Sequence, residues 1–152
     1  MVYLINKKWL LVMVILLSTW LLGIILAPVL ASSTIFWQNQ IAKIIYFIYQ
    51  PVCHQFPERS FLINKFPFAV CVRCFAVYLS GLLLAIYYLF KESITMLKLS
   101  TYGILSIFPV IDFILEKFNM YHNLMILRFI TGMLLGYVLF HMLIAGISDV
   151  RE

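Results

Sequence analysis

Apolar residues run along this chain in four long blocks, and short polar breaks between them hold most of the charge. The first block, residues 9–31, reads "WLLVMVILLSTWLLGIILAPVLA" directly after Lys7 and Lys8. Crossing a bilayer takes roughly 20 mostly apolar helical residues. The blocks predict spans at about 9–31, 70–90, 99–115 and 124–147. The strict alternation of outer-membrane barrel strands is missing, so the spans are read as helices. The first block exceeds the apolar core of a cleaved signal peptide and is read as an uncleaved anchor, with Pro28 able to kink its end. The tail "SDVRE" is read as exposed.

The stretch 35–50 is different. Ile35, Phe36, Ile41, Ile44, Ile45 and Ile48 recur at helical spacing, but Gln38, Asn39, Gln40, Lys43 and Gln50 break the run. It is too short and too polar to span. The pattern predicts an amphipathic helix at the membrane interface, with Trp37, Tyr46 and Tyr49 suited to an aromatic belt.

Composition sharpens the class. The chain is 64% hydrophobic and only 11% charged, with a mean hydropathy of +1.04. Soluble domains carry about 25% charged residues. This is an all-α membrane protein forming a single domain over 1–152, and its first partner is the lipid bilayer. The net charge of +5 is scattered along the chain, which excludes a nucleic-acid-binding patch. Small residues sit at packing spacing: Gly132 and Gly136, Ala76 and Ser80, Gly81 and Ala85. They let helix backbones approach closely, within the bundle or across a homodimer built on Gly132 and Gly136.

Positive residues divide almost evenly. Lys7, Lys8, Lys91, Lys98 and Arg151 fall on one side, and Lys43, Arg59, Lys65, Arg73 and Lys117 on the other. Lys7 and Lys8 flank the first helix and favour an inside N-terminus. The reading is a multi-pass protein of the cytoplasmic (inner) membrane, with the segment 53–74 on the extracytoplasmic side.

That segment, "CHQFPERSFLINKFPFAVCVRC", holds all three cysteines of the chain and one of its three histidines. Pro57 and Pro67 forbid a long helix in it. Cys71 and Cys74 form a Cys-x-x-Cys pair where the second span begins. Partial positive charge at a helix N-terminus, with Arg73 beside it, favours thiolate, the form that binds metal or attacks a disulfide. Cys53 and His54 complete a donor set of three cysteines and one histidine, suited to zinc or another soft metal. The spacing fits zinc modules only loosely, because two of the ligands are adjacent in sequence. His54 could instead act from behind the ligands.

A second constellation lies in the spans. Asp112 in "PVIDFIL" and Arg128 in "MILRFITG" interrupt apolar helices, where ionisable groups are costly and paired. Helix direction puts both on the membrane face of the cysteines. They are read either as a structural ion pair or as functional charges beneath the loop. Arg59, Arg73 and Arg128 together suit an anionic head group. Glu58 and Arg59 read as a solvated pair. Glu116, Lys117 and His122 fall in the turn "EKFNMYHN" and are read as solvent-exposed. His141 is read as a hydrogen-bonded helix contact.

The pieces "CHQFPERSF", "VCVRCFAVYLSG", "PVID" and "RFITGMLLG" resemble an uncharacterised family of small bacterial and archaeal membrane proteins, a domain of unknown function. The resemblance covers roughly 46–136. It implies a polytopic inner-membrane protein and marks Cys53, His54, Gln55, Arg59, Ser60, Cys71, Arg73, Cys74, Asp112 and Arg128 as motif positions. It supplies no activity. The chain departs from the family pattern at Ala76 and Phe113, where members commonly carry glycine.

Three readings stay open. The first is a metal-binding membrane protein, with zinc held by Cys53, His54, Cys71 and Cys74. The second is a quinone-coupled thiol–disulfide oxidoreductase using Cys71 and Cys74, similar in architecture to vitamin K epoxide reductase and the disulfide-bond oxidases. Those enzymes relay electrons between two cysteine pairs, and an odd cysteine count speaks against that relay here. The third is a scaffold with a static disulfide. No hydrolase-type catalytic set or phosphate-cradling loop stands out.

Overall fold

The computed structural model describes residues 2–118 and 124–150. Helices dominate it: α1 (Lys7–Ala31), α2 (Phe36–Tyr49), α3 (Val72–Leu89), α4 (Leu99–Lys117) and α5 (Met125–Gly146). All but α2 are long and apolar enough to cross a membrane. At 1.5 Å per residue, the 18 residues of α3 make about 27 Å, while the 25 of α1 make about 37 Å. So α1 outreaches α3 by about 10 Å.

The excess length of α1 carries α2 and the cysteine segment. Tyr49 of α2 is buried, and its hydroxyl donates to the Trp20 carbonyl at 2.6 Å. Its ring occupies the space a side chain at Gly23 would fill. Outward, α2 shows Phe36, Trp37, Ile44, Phe47 and Ile48. Pro28 has a specific effect. Lacking an N–H, it leaves the Ile24 carbonyl without its helical donor. The Ala69 N–H takes that carbonyl at 3.4 Å, docking the cysteine segment on α1 through the backbone.

Within the segment, Pro57–Arg59 form one 3-10 turn, followed by a hairpin of β2 (Leu62–Ile63) and β3 (Phe66–Pro67). Asn64 and Lys65, at φ 49° and 71°, make its two-residue turn. Paired positive φ of this kind matches the right-handed twist of short hairpins. Ser60 is fully buried and donates to the Phe56 carbonyl at 2.9 Å, closing the turn.

Helices α3 and α5 form the tight centre. A Cβ at Gly132 would stand 2.5 Å from the Arg73 carbonyl oxygen, and one at Gly136 would stand 2.5 Å from that of Val77. Both glycines are therefore used inside the chain, against α3. Of the two uses read for Gly132 and Gly136, close approach within the bundle is the one their contacts with α3 display. Helix α4 packs chiefly on α5 and keeps most of its apolar surface outward.

At the opposite membrane face, β1 (Val2–Leu4), β4 (Ser93–Thr95) and β5 (Asp149–Val150) form an antiparallel sheet in the order β4-β1-β5. The reading of the tail as exposed is corrected here: Ser148 is buried and residues 149–150 pair in this sheet, while 151–152 lie outside the described residues. Ile94 of β4 is buried with Leu10, Ala85, Ile144 and Ala145.

Candidate metal centre

Cys53 follows α2, and its N–H bonds the Tyr49 carbonyl at 3.1 Å. Cys71 is the N-cap of α3, and Cys74 lies in its first turn. The two stretches meet where Cys71 N–H donates to Cys53 Sγ at 3.2 Å. All three cysteines are free thiols, and their sulfurs lie within 4.8 Å of one another. A tetrahedral zinc with Zn–S bonds of about 2.3 Å holds its sulfurs about 3.8 Å apart. A shift of about an ångström suffices to reach that spacing.

Electrostatics among the three are unequal. Hydrogen bonding from Cys71, then from Cys74, pulls the Cys53 thiol far below its ordinary range. Hydrogen bonding to the Cys53 sulfur pushes Cys71 up. The shifts oppose one another because the three sulfurs hydrogen-bond among themselves. Such a trio titrates as a unit.

His54 stands outside the sulfur group. It is solvent-exposed, and its ring stacks on Phe56 at 5.8 Å. The expected set of three cysteines and a histidine is thus a set of three cysteines alone. The reason is local: Cys53 is buried, its immediate neighbour His54 stands exposed at the cavity rim, and Gln55 bends the chain at φ 54°. Gln55 Nε2 donates to the Tyr46 carbonyl at 2.7 Å, so its role is to hold this bend. Ser60 likewise serves the turn and reaches no sulfur.

Beside the sulfurs lies a cavity of about 170 Å³. The cysteines form one wall, residues 52–56 another, and Arg59, Arg73, Arg128, Glu116 and Phe113 the rest. Glu116 is the hub of the charged wall. It pairs with Arg59 at 2.7 Å, Arg128 at 2.7 Å and Arg73 at 2.9 Å. Arg73 also pairs with Asp112, which accepts from Thr131 Oγ1 at 2.9 Å. This corrects the expectation of a solvent-exposed Glu116, whose side chain is only 13% exposed. Its position four residues after Asp112 puts both carboxylates on one helix face, a signal the sequence carries. Sequence reasoning also misses Thr131, three residues after Arg128. Asp112 and Arg128 are both 4% exposed and share this network, at one membrane face as expected. His122 lies outside the described residues.

His141 is buried near the other face, its Nδ1 2.8 Å from the Tyr102 hydroxyl and its Nε2 3.1 Å from that of Tyr88. Each ring nitrogen thus has a hydroxyl partner. The expected helix contact is present, and Tyr88 and Tyr102 are its unforeseen partners.

Four apolar helices with thiols and paired charges gathered at one end define a multi-pass membrane protein. Residues 53–142 match the model of the family described as predicted membrane protein (DUF2085), and the chain belongs to that family. It is 34% identical over 144 residues to the uncharacterized protein MJ1492 of Methanocaldococcus jannaschii, covering 90% of this chain and 92% of that one. No solved structure matches the chain.

Proposed function

We propose that Cys53, Cys71 and Cys74 bind one soft metal ion, with zinc the first expectation, at the extracytoplasmic end of an inner-membrane bundle. The supporting observation is that three free thiols from two separate stretches converge within 4.8 Å of one another. Thiolate donors suit zinc and Cu(I). Three protein ligands leave a fourth tetrahedral position open, as in zinc sites that handle a substrate or water. The three cysteines line the same cavity as Arg59, Arg73 and Arg128, so an exchangeable ligand would enter from there. His54 lines the same cavity and can approach from its rim.

The test is metal analysis by mass spectrometry on detergent-purified protein, with free thiols counted on the same sample. One metal per chain, and thiols that react only after chelation, is the expected result. No metal, with two thiols missing until reductant is added, would sink the metal reading and assign the trio to thiol–disulfide exchange. The side of the membrane is tested separately, by labelling Lys65 replaced with cysteine in intact cells. Labelling by an impermeant reagent only after lysis would refute the extracytoplasmic placement.

A further inference from the structure

The charged wall of the cavity beside the cysteines has a second space on it. Arg73 and Phe113 line the cavity and also line this second space of about 320 Å³. That second space is a cleft between α3 and α4, bounded by Pro109 and Val110 and floored by Leu135 of α5. Its lining is almost wholly apolar apart from Arg73. The cleft exists because α4 leans on α5, while Arg73 bridges to Asp112 and Glu116 at the helix ends. Val110 and Phe113 are more than half exposed, so the cleft opens sideways to the lipid. Pro109 lies eight residues inside the end of α4, so the cleft runs about 12 Å toward the bilayer centre.

The polar end of this path suits an anion. Three arginines face two carboxylates there. The Nε atoms of Arg73 and of Arg128 are buried and have no hydrogen-bond partner among the described residues. Arg128 itself is 4% exposed and lines the cavity. Guanidinium groups recognise phosphate and carboxylate through paired N–H donors. Both α3 and α5 begin at this end, and their N-termini add donors of the same sign.

From the adjacency of these two spaces, which share Arg73 and Phe113, we infer that the site takes a membrane-borne amphiphile with a phosphate head. The head occupies the arginine–cysteine cavity and one chain lies in the α3–α4 cleft. As a description of what the metal site acts on, this rests on the three-thiolate metal reading, because a head-group oxygen then fills the metal's fourth position. A water-soluble anion would need no oily cleft. A neutral amphiphile would leave the buried arginine donors unanswered, and unmet buried donors are costly.

The test is native mass spectrometry of the full chain in detergent, titrated with dioleoyl phosphatidic acid, dioleoylglycerol, glycerol phosphate and a short-chain ubiquinone. One phosphatidic acid per chain is expected, about tenfold tighter than either dioleoylglycerol or glycerol phosphate, as loss of charge-assisted bonds or of chain burial implies. Arg59→Gln, at the more exposed edge of the charged wall, and Val110→Trp, which fills the cleft from its lipid side, should each weaken phosphatidic acid about tenfold with metal content unchanged. Both positions are half-exposed, so both variants should keep the wild-type circular dichroism. Equal affinity for dioleoylglycerol, equal affinity for glycerol phosphate, displacement by ubiquinone, or an unaffected Val110→Trp variant would each overturn the inference. Metal-free protein that still selects phosphatidic acid would support lipid binding and refute the metal reading. Metal-loaded protein without selectivity would do the reverse.

Discussion

The two ends of this bundle solve the burial of polar groups in opposite ways. Near one face, His141 lies between Tyr88 and Tyr102, and both ring nitrogens are met by hydroxyls. Near the other, three arginines and two carboxylates meet beside three thiols and a cavity. The first arrangement is closed and needs nothing further. The second retains arginine donors without partners and soft sulfur donors close together. A buried polar cluster that satisfies itself is architecture. One that does not, and borders an open space, is where a ligand has something to add.

The comparison breaks most sharply at the sulfurs. Cys71→Ser and Cys53→Ser should each reduce metal from one per chain to near zero, because thiolate sites gain about 10 kcal/mol or more from the ion. Metal analysis of purified variants reads this directly, and full retention of metal would move the site elsewhere. Glu116→Gln comes next. It strips a shared carboxylate from three arginines and should cost about 3 kcal/mol, the range for breaking a buried charge pair. Thermal unfolding in detergent measures it, and an unchanged midpoint would show that Glu116 is not the hub. Tyr102→Phe, at the closed end, should cost about 1 kcal/mol and leave metal content untouched. A loss of metal there would erase the distinction between the two ends. The smallest effect belongs to His54→Ala: full metal content and a stability change within about 0.5 kcal/mol, the range of surface substitutions. Loss of metal in that variant would restore histidine as the fourth ligand.

The spans are legible in the sequence because a bilayer leaves few alternatives to a run of about 20 apolar residues. Their observed ends, such as Lys7–Ala31 and Val72–Leu89, fall within two residues of the sequence reading. The cysteine trio is legible from residue type and the Cys-x-x-Cys spacing. His54 misleads because adjacency in sequence is not adjacency in space; the bend at Gln55 decides, and composition does not record it. Glu116 misleads because it stands beside a turn, although its spacing from Asp112 points inward. The small sheet leaves no trace at all. Strands of two or three residues carry no alternation to read, and β1, β4 and β5 are far apart in the chain.

That sheet has a consequence for biogenesis. Strand β1 precedes α1, yet its partner β5 follows α5, so the sheet cannot close until α5 has been made. The sulfurs obey a different clock. Cys53, Cys71 and Cys74 are all in place once the first turn of α3 has formed, whereas Asp112, Glu116 and Arg128 arrive with α4 and α5. On the proposed metal reading, an ion would have a window in which to reach the thiols before the charged wall closes beside them. Strands β1 and β5 can pair at the far side only after these groups are in place.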